Sequence, residues 1–268
     1  MTLEVTDLAV RIDGRAVVDG VTFRVDDGER VGLIGESGSG KSLTALAILG
    51  LLPDGAEASG SVRVDGVEVI GASDREVARL RGRELGIVFQ EPRSSFNPIR
   101  SIGRQLADPV RHLTGVSRAE AAERAVELAR LVRLPDPEVL VRRYPHQVSG
   151  GQLQRAAIAL ALAGGPRLLI ADEPTTALDV TIQAEILDLF DRLASELGTG
   201  LLFITHDLAV LRRIADRAVV LQNGAVVEEG AVDDLVERPR TELVRRLVAS
   251  ARATSWHATG GSGTEEDR

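Results

Sequence analysis

The sequence predicts an α/β protein: a mostly parallel sheet covered by helices, with antiparallel β-hairpins ahead of it and a helical subdomain inserted into it. Three observations carry this prediction. A glycine-rich stretch, Gly35-Glu36-Ser37-Gly38-Ser39-Gly40-Lys41-Ser42, follows the apolar run Val31-Gly32-Leu33-Ile34 and precedes the helix-forming run Leu43-Thr44-Ala45-Leu46-Ala47-Ile48-Leu49. Two more apolar runs, Leu168-Leu169-Ile170-Ala171 and Gly200-Leu201-Leu202-Phe203-Ile204-Thr205, read as buried strands and end at Asp172-Glu173 and His206. Between them lies a helical pattern, Ile182, Ile186, Leu189, Leu193 and Leu197, whose role is to cover the sheet. Strands that alternate with helices imply parallel pairing, and ligands of such sheets sit at the carboxyl ends of the strands.

Taken in order, residues 3–31 read as strands, in which Leu3-Glu4-Val5 and Val21-Thr22-Phe23-Arg24-Val25 alternate and are separated by turn residues near Asp13-Gly14. Asp26-Asp27-Gly28 turns into the buried strand before the glycine-rich loop. Pro53-Asp54-Gly55 breaks the chain after the loop helix, and residues 61–69 read as a hairpin about Asp65-Gly66. Gly86-Ile87-Val88-Phe89 is a short strand ending at Gln90. From about 100 to 163 the pattern is helical and is cut by Pro135, Pro137 and Pro145. Ser117-Arg118-Ala119-Glu120 reads as a capping box, with Ala122, Val126, Ala129 and Val132 on one side of its helix. Residues 219–227 form a hairpin about Asn223-Gly224, and the Gly-, Ser- and Thr-rich tail after about 252 is expected to be disordered. The expected organisation is a core over 1–99 and 164–232, the helical insert over 100–163, and a C-terminal helix with its tail over 233–268.

Composition narrows the function. The net charge of −8 argues against a nucleic-acid partner held on a broad basic surface. The absence of cysteine excludes disulfides, thiolate metal centres and thiol catalysis, and fits a reducing compartment. No apolar run approaches the 20 or so residues of a membrane span, and Met1-Thr2-Leu3-Glu4-Val5 has no signal-peptide character. The expectation is a soluble chain that reaches any membrane by docking.

The glycine-rich stretch matches the phosphate-loop pattern GxxxxGK[ST] in its strand–loop–helix context. Backbone N–H groups of the turn and of the helix start converge on one polyanion, and the glycines let the backbone approach it. Lys41 supplies charge for the β- and γ-phosphates, and the Ser42 hydroxyl is a ligand for Mg²⁺. Asp172 is placed to hold Mg²⁺ and Glu173 to polarise an attacking water. Gln90 offers a neutral metal ligand on a loop that can swing, and His206 can contact a γ-phosphate and the water. Val148-Ser149-Gly150-Gly151-Gln152-Leu153-Gln154-Arg155 opens a helix with a second anion-binding turn. One phosphate loop cannot use two such turns alone. The economical answer is a head-to-tail dimer, with each nucleotide between one chain's loop and the other chain's Ser-Gly-Gly turn.

With these residues in place the chain resembles the ATP-binding subunit of an ABC transporter over about residues 3–250. The resemblance implies a P-loop NTPase core of the ABC ATPase type, with ATP and Mg²⁺ as its nucleotide and metal. It identifies 35–42 as the Walker A loop, Gln90 as the Q-loop, Ser149, Gly150, Gly151 and Gln152 as the signature, and 168–172 as Walker B. Glu173 is then the catalytic glutamate, Ala177-Leu178-Asp179 the D-loop and His206 the switch histidine. Residues 90–98, Tyr144-Pro145-His146-Gln147 and residues 171–184 are similar to the peptide/nickel uptake group. Membership of that group implies two membrane-spanning permease subunits, a second ABC ATPase subunit and, indirectly, an extracytoplasmic solute-binding protein. It also implies a peripheral position on the cytoplasmic face of the cell membrane. Two other readings are weighed against this importer. One is an ABC ATPase without a transporter, whose usual double cassette or long coiled-coil insert is missing here. The other is an exporter ATPase, which is often fused to membrane spans.

Three departures from the family stand out. The aromatic expected to stack on adenine falls near Ile12 or Arg15, neither of them aromatic. The signature begins with Val148 rather than Leu. The chain ends soon after Pro239-Arg240-Thr241-Glu242-Leu243 without a cysteine-bearing extension, which leans towards the shorter, nickel-type members.

Overall fold

Alternating apolar residues and three Asp-Gly or Asn-Gly turns organise the strands. In the computed structural model, which describes residues 1–176 and 178–259, two sheets form. The first is antiparallel, in the order β2-β1-β4-β5, from β1 (Leu3–Ile12), β2 (Arg15–Val25), β4 (Ala56–Val64) and β5 (Val67–Glu68). β3 (Arg30–Gly35) leads into α1 (Lys41–Ile48) and belongs to the second sheet. That sheet has the order β10-β9-β3-β8-β7-β6, from β6 (Leu85–Val88), β7 (Leu168–Asp172), β8 (Gly200–Thr205), β9 (Arg217–Gln222) and β10 (Ala225–Ala231). Its pairs are parallel except β9 with β10. The central strands β3, β7 and β8 are almost wholly buried, as expected where both faces are covered. Both residues of each turn, Asp13-Gly14, Asp65-Gly66 and Asn223-Gly224, have positive φ, the twist that suits two-residue hairpins.

α2 (Asp74–Val77) is a single capped turn. The helical segment contains α3 (Ile102–Thr114), α4 (Arg118–Leu131), α5 (Pro137–Leu140) and α6 (Gly150–Ala161). The chain returns to the sheet with α7 (Val180–Leu197) and α8 (Leu208–Ile214), and ends with α9 (Val232–Glu237) and α10 (Glu242–Thr259). One apolar core lies between the antiparallel sheet, α1 and one face of the mixed sheet. A second joins α3, α4 and α6 to α7 and the other face, so the helical segment shares its core with the sheet.

The strands expected over residues 3–31 are present as β1, β2 and the start of β3, with β1 and β2 paired from Leu3 and Val25 to Ile12 and Arg15 beside the Asp13-Gly14 turn. Several other expectations need correction. The buried stripe of α4 is Ala121, Ala125 and Ala129, followed by Val132, whereas Ala122 is exposed and Val126 half-buried. Helix α4 packs α3 through its smallest side chains, a preference that hydrophobicity alone does not reveal. Ser117 accepts from the Glu120 N–H at 3.2 Å, but the Glu120 carboxylate pairs with Arg124 instead of closing the box. On α7, Ile186, Leu189 and Leu193 are buried with Leu187 and Phe190, while Ile182 is half-buried and Leu197 exposed. Helix α10 runs to Thr259, past the point where the tail was expected to begin. Ala177 of the D-loop and residues 260–268 of the tail lie outside the described residues.

Candidate functional site

The strand order makes the site. β3, β8, β7 and β6 are neighbours, so the segments leaving their carboxyl ends converge on one sheet edge. The loop after β3 enters α1 through Gly40 at φ 100°, a left-handed conformation that suits only glycine. A Cβ there would also stand 3.0 Å from the Val17 carbonyl of β2. Gly35 is equally confined: a Cβ would lie 2.3 Å from the Leu221 carbonyl. The β9–β10 turn supports the loop from outside, as Gly224 N–H donates to the Ser39 carbonyl at 3.1 Å. No side chain caps α1, which leaves its first N–H groups for a ligand.

Lys41 is buried, and its ammonium donates to the carbonyls of Gly35 and Glu36, both at 2.9 Å. Burial lowers its pKa, while Glu173 and Asp172 work the other way. Ser42 Oγ donates to Asp172 Oδ1 at 3.1 Å across the β3–β7 interval. Burial raises the Asp172 pKa despite the Ser42 hydrogen bond, and the neighbouring Glu173 carboxylate adds to the rise. A buried carboxylate in this state gains from a cation beside it.

Glu173 follows Asp172 with φ 44°, an unfavourable conformation for a residue with a side chain, of the kind that gathers at functional sites. Three contacts hold it. Its N–H donates to the Ile204 carbonyl at 3.0 Å, Thr176 Oγ1 donates to Oε2 at 3.0 Å, and Oε2 lies 3.3 Å from His206 Nδ1. Glu173 Oε1 is 4.0 Å from Lys41 Nζ. Gly35, Glu36, Ser37, Glu173, His206 and Leu247 line a cavity of about 390 Å³.

The structure therefore brings Lys41, Ser42, Asp172, Glu173 and His206 together. It leaves Gln90 apart: that residue lies two positions past edge strand β6, exposed and bonded to none of the others among the described residues. Asp179 caps α7, accepting from Ile182 N–H at 2.9 Å. Ser149 and Gln152 close a full capping box on α6, with Ser149 Oγ accepting at 3.2 Å and Gln152 Oε1 at 3.0 Å. The N–H groups of Gly150 and Gly151 have no partner among the described residues. Sequence reasoning missed Thr176, Arg246 and Leu247. The Thr176 hydroxyl was legible only as part of a motif, and the α10 residues are some 200 positions from the loop with no local signal.

A phosphate loop on β3, a carboxylate pair on β7 and a histidine on β8, with an antiparallel sheet on one side and a helical insert on the other, define a P-loop NTPase core of the ABC ATPase type. Comparison with known proteins agrees. Residues 18–176 match the family model described as ABC transporter, and the chain belongs to that family. It is 48% identical over 253 residues to the oligopeptide transport ATP-binding protein OppD of Mycobacterium tuberculosis, covering 92% of this chain and 41% of that protein. It is 46% identical over 256 residues to the probable peptide ABC transporter ATP-binding protein y4tR of Sinorhizobium fredii, covering 93% and 76%. The chain thus spans about two-fifths of the length of the mycobacterial relative. Among solved structures it superposes on the dimeric bacterial ABC transporter cassette MJ0796 with a TM-score of 0.76 at 29% identity, covering 86% of this chain and 98% of that one. The same cassette is known in a post-hydrolysis state bound to ADP and Pi.

Proposed function

We propose that the chain binds and hydrolyses ATP with Mg²⁺ and powers a binding-protein-dependent importer of peptides. One observation carries the ATPase reading: Lys41, the Ser42–Asp172 pair and the Glu173–His206 pair share one edge of the sheet. In this reading the N–H groups of the loop and Lys41 bind the triphosphate, Lys41 exchanging loop carbonyls for phosphate oxygens. Ser42 and Asp172 are two hard oxygen donors and fit a Mg²⁺ ion, which when bound screens the phosphate charge. Among the described residues no three His, Cys, Asp or Glu could hold a metal alone, so such an ion would lean on the nucleotide. Glu173 takes the proton of the attacking water, and His206 and Thr176 orient its carboxylate. Gln90 joins as a ligand or sensor only when its loop swings in.

The peptide assignment rests on the relatives, whose names speak of oligopeptide or peptide transport; nickel finds no support there. The transport assignment has a physical correlate. No helix among the described residues is long and apolar enough to cross a membrane. The helical segment carries a groove of about 510 Å³, lined in part by Gly103, Ala107, Ala121 and Val126. Its carboxylates Asp108 and Glu138 are already paired with Arg100 and Arg130, whereas Arg104, Arg111, Arg118 and Arg142, which also line it, form no ion pair among the described residues. An acidic, amphipathic segment of a permease subunit suits it. Ile99, at 81% exposed, lies on the chain between Gln90 and this groove.

Dimerisation follows from the second turn. A Cβ on Gly151 would stand 2.9 Å from Ile182 Cγ2, whereas Gly150 has no positive φ, and a Cβ placed on it would meet no atom within 4 Å, so nothing among the described residues requires glycine at that position. A partner's nucleotide approaching the bare N–H groups of Gly150 and Gly151 does require it. Glu173→Gln tests the whole reading: ATP binding should persist while turnover falls about 10²- to 10⁴-fold. Near-normal ATPase activity in that variant would remove Glu173 as the base.

A further inference from the structure

The C-terminal helix α10 meets the phosphate loop, although nothing in the family motifs involves it. Its apolar face, Leu243, Val244 and Val248, packs on α8 and α9 in a buried cluster that also contains Ile34 of β3 and Leu208 and Leu211 of α8. Of these elements, β3 and α8 present the loop and His206. The start of α10 is pinned by buried Glu228, which accepts from the N–H groups of Arg240 at 3.0 Å and Thr241 at 2.9 Å, and from Thr241 Oγ1 at 2.7 Å. One turn further on, Leu247 lines the cavity that Gly35, Glu36, Ser37, Glu173 and His206 enclose. Beside it the Arg246 guanidinium lies 2.9 Å from Glu36 Oε1.

Glu36 is an electrostatic oddity. It is the second residue of a loop built to receive a polyanion, and its own carbonyl is one of the two that hold Lys41. An uncompensated carboxylate there opposes phosphate binding. We propose that α10 belongs to the phosphate site: Arg246 neutralises Glu36 and fixes its carboxylate away from the incoming triphosphate, while Leu247 roofs the pocket. Arg246 is thus a positioning residue, acting through Glu36. The inference rests on the phosphate-site reading above.

Direct titration of the whole chain with a fluorescent ATP analogue and Mg²⁺ tests it. Wild type must bind and Lys41→Ala must bind far more weakly; if not, the phosphate-site reading itself falls and the inference with it. Given those two results, Arg246→Ala should weaken binding about three- to five-fold at low salt, the range of a solvent-exposed ion pair. Arg246→Glu should weaken it more, and Arg246→Lys should restore most of the loss. Glu36→Gln should bind more tightly than wild type. In the E36Q background Arg246→Ala should cost less than about two-fold, because the charge it compensates is gone. The Arg246→Ala effect should also fade as salt rises from about 0.05 to about 0.5 M. An equal loss in both backgrounds would show that Arg246 only holds the helix in place and would overturn the proposal, as would no loss in either. Thermal melts of each variant separate these outcomes from unfolding: Glu36 and Arg246 are both exposed, and a melting shift that tracks affinity across both backgrounds would count against the charge mechanism.

Discussion

The chain contains two glycine-rich turns that open helices, and they are built in opposite ways. At α1 the turn is enclosed. Gly40 is left-handed, the Val17 carbonyl crowds it, the β9–β10 turn braces it, and a buried lysine sits inside. No side chain takes up its N–H groups. At α6 the turn is open. Ser149 and Gln152 cap each other, Ser149 and Gly150 are exposed, and a Cβ on Gly150 would meet nothing, although one on Gly151 would stand 2.9 Å from Ile182 Cγ2. A site completed within its own chain confines its glycines and buries its charge. The α6 turn has a cap and two N–H groups without a partner among the described residues, and in the proposed function these await a nucleotide brought by a second chain.

The largest test of this contrast is Lys41→Ala. It removes a buried charge from the enclosed turn and should weaken ATP binding by about two orders of magnitude, as expected for lost charge-assisted hydrogen bonds. Unchanged affinity in a nucleotide titration would put the ligand elsewhere. Ser149→Arg is the counterpart at the open turn. It should leave the affinity of the isolated chain within about two-fold, because among the described residues no hydrogen bond or ion pair joins that turn to the chain's own loop. It should abolish ATP-dependent pairing, read by light scattering with the partner ATPase in the E173Q background, and lower ATPase at least about ten-fold. Intact pairing and activity would mean that the signature turn does not act across an interface.

The contrast also separates the glycines by stability. Gly40→Ala forces a Cβ into a left-handed backbone beside a carbonyl and should cost about 2 kcal/mol or more. Gly150→Ala should be neutral or add up to about 0.5 kcal/mol, since the site is open and helical residues other than glycine lose less entropy. Denaturant unfolding measures both. A destabilised Gly150→Ala would reveal an internal reason for that glycine and weaken the case for an external one.

The same division explains how far the sequence could be read. Phosphate loop, Asp172-Glu173 and His206 were legible because each follows an apolar run directly, and parallel pairing then places them on one edge. The three hairpins were legible from their Asp-Gly and Asn-Gly turns. What escaped depends on packing between segments distant in sequence. The alanine face of α4 is set by how closely α3 approaches, and the pattern of larger apolar residues pointed one position away from it. The Arg246–Glu36 pair joins an exposed arginine on the last helix to a loop near the start, and no spacing rule links them. Gln90 was legible as a motif, yet its side chain is exposed and makes no hydrogen bond to the cluster among the described residues.

The smallest effect concerns Asp172, the carboxylate buried at the end of β7 beside the enclosed turn. Burial holds the folded-state pKa of Asp172 above its unfolded value. The native state therefore binds the proton more tightly than the unfolded state does. For a carboxylate raised in this way, stability is greatest below the unfolded pKa and declines as pH rises through the folded one. Above the folded pKa the ionised side chain is a cost of folding that the Ser42 hydrogen bond and Lys41 offset only in part and that a bound cation would offset further. Asp172→Asn keeps an oxygen for the Ser42 hydroxyl and removes that cost, so the nucleotide-free variant should melt above wild type at pH 7, with the gap closing as pH falls towards about 4. Adding Mg²⁺ and ATP should reverse the order, because wild type gains ligand stabilisation that the variant lacks. No comparable pH-dependent gap is expected from Ser149→Ala, since the open turn buries no ionised group. If Asp172→Asn melts below wild type at neutral pH without nucleotide, the Ser42–Asp172 pair is a net structural contact rather than a strained half of a metal site.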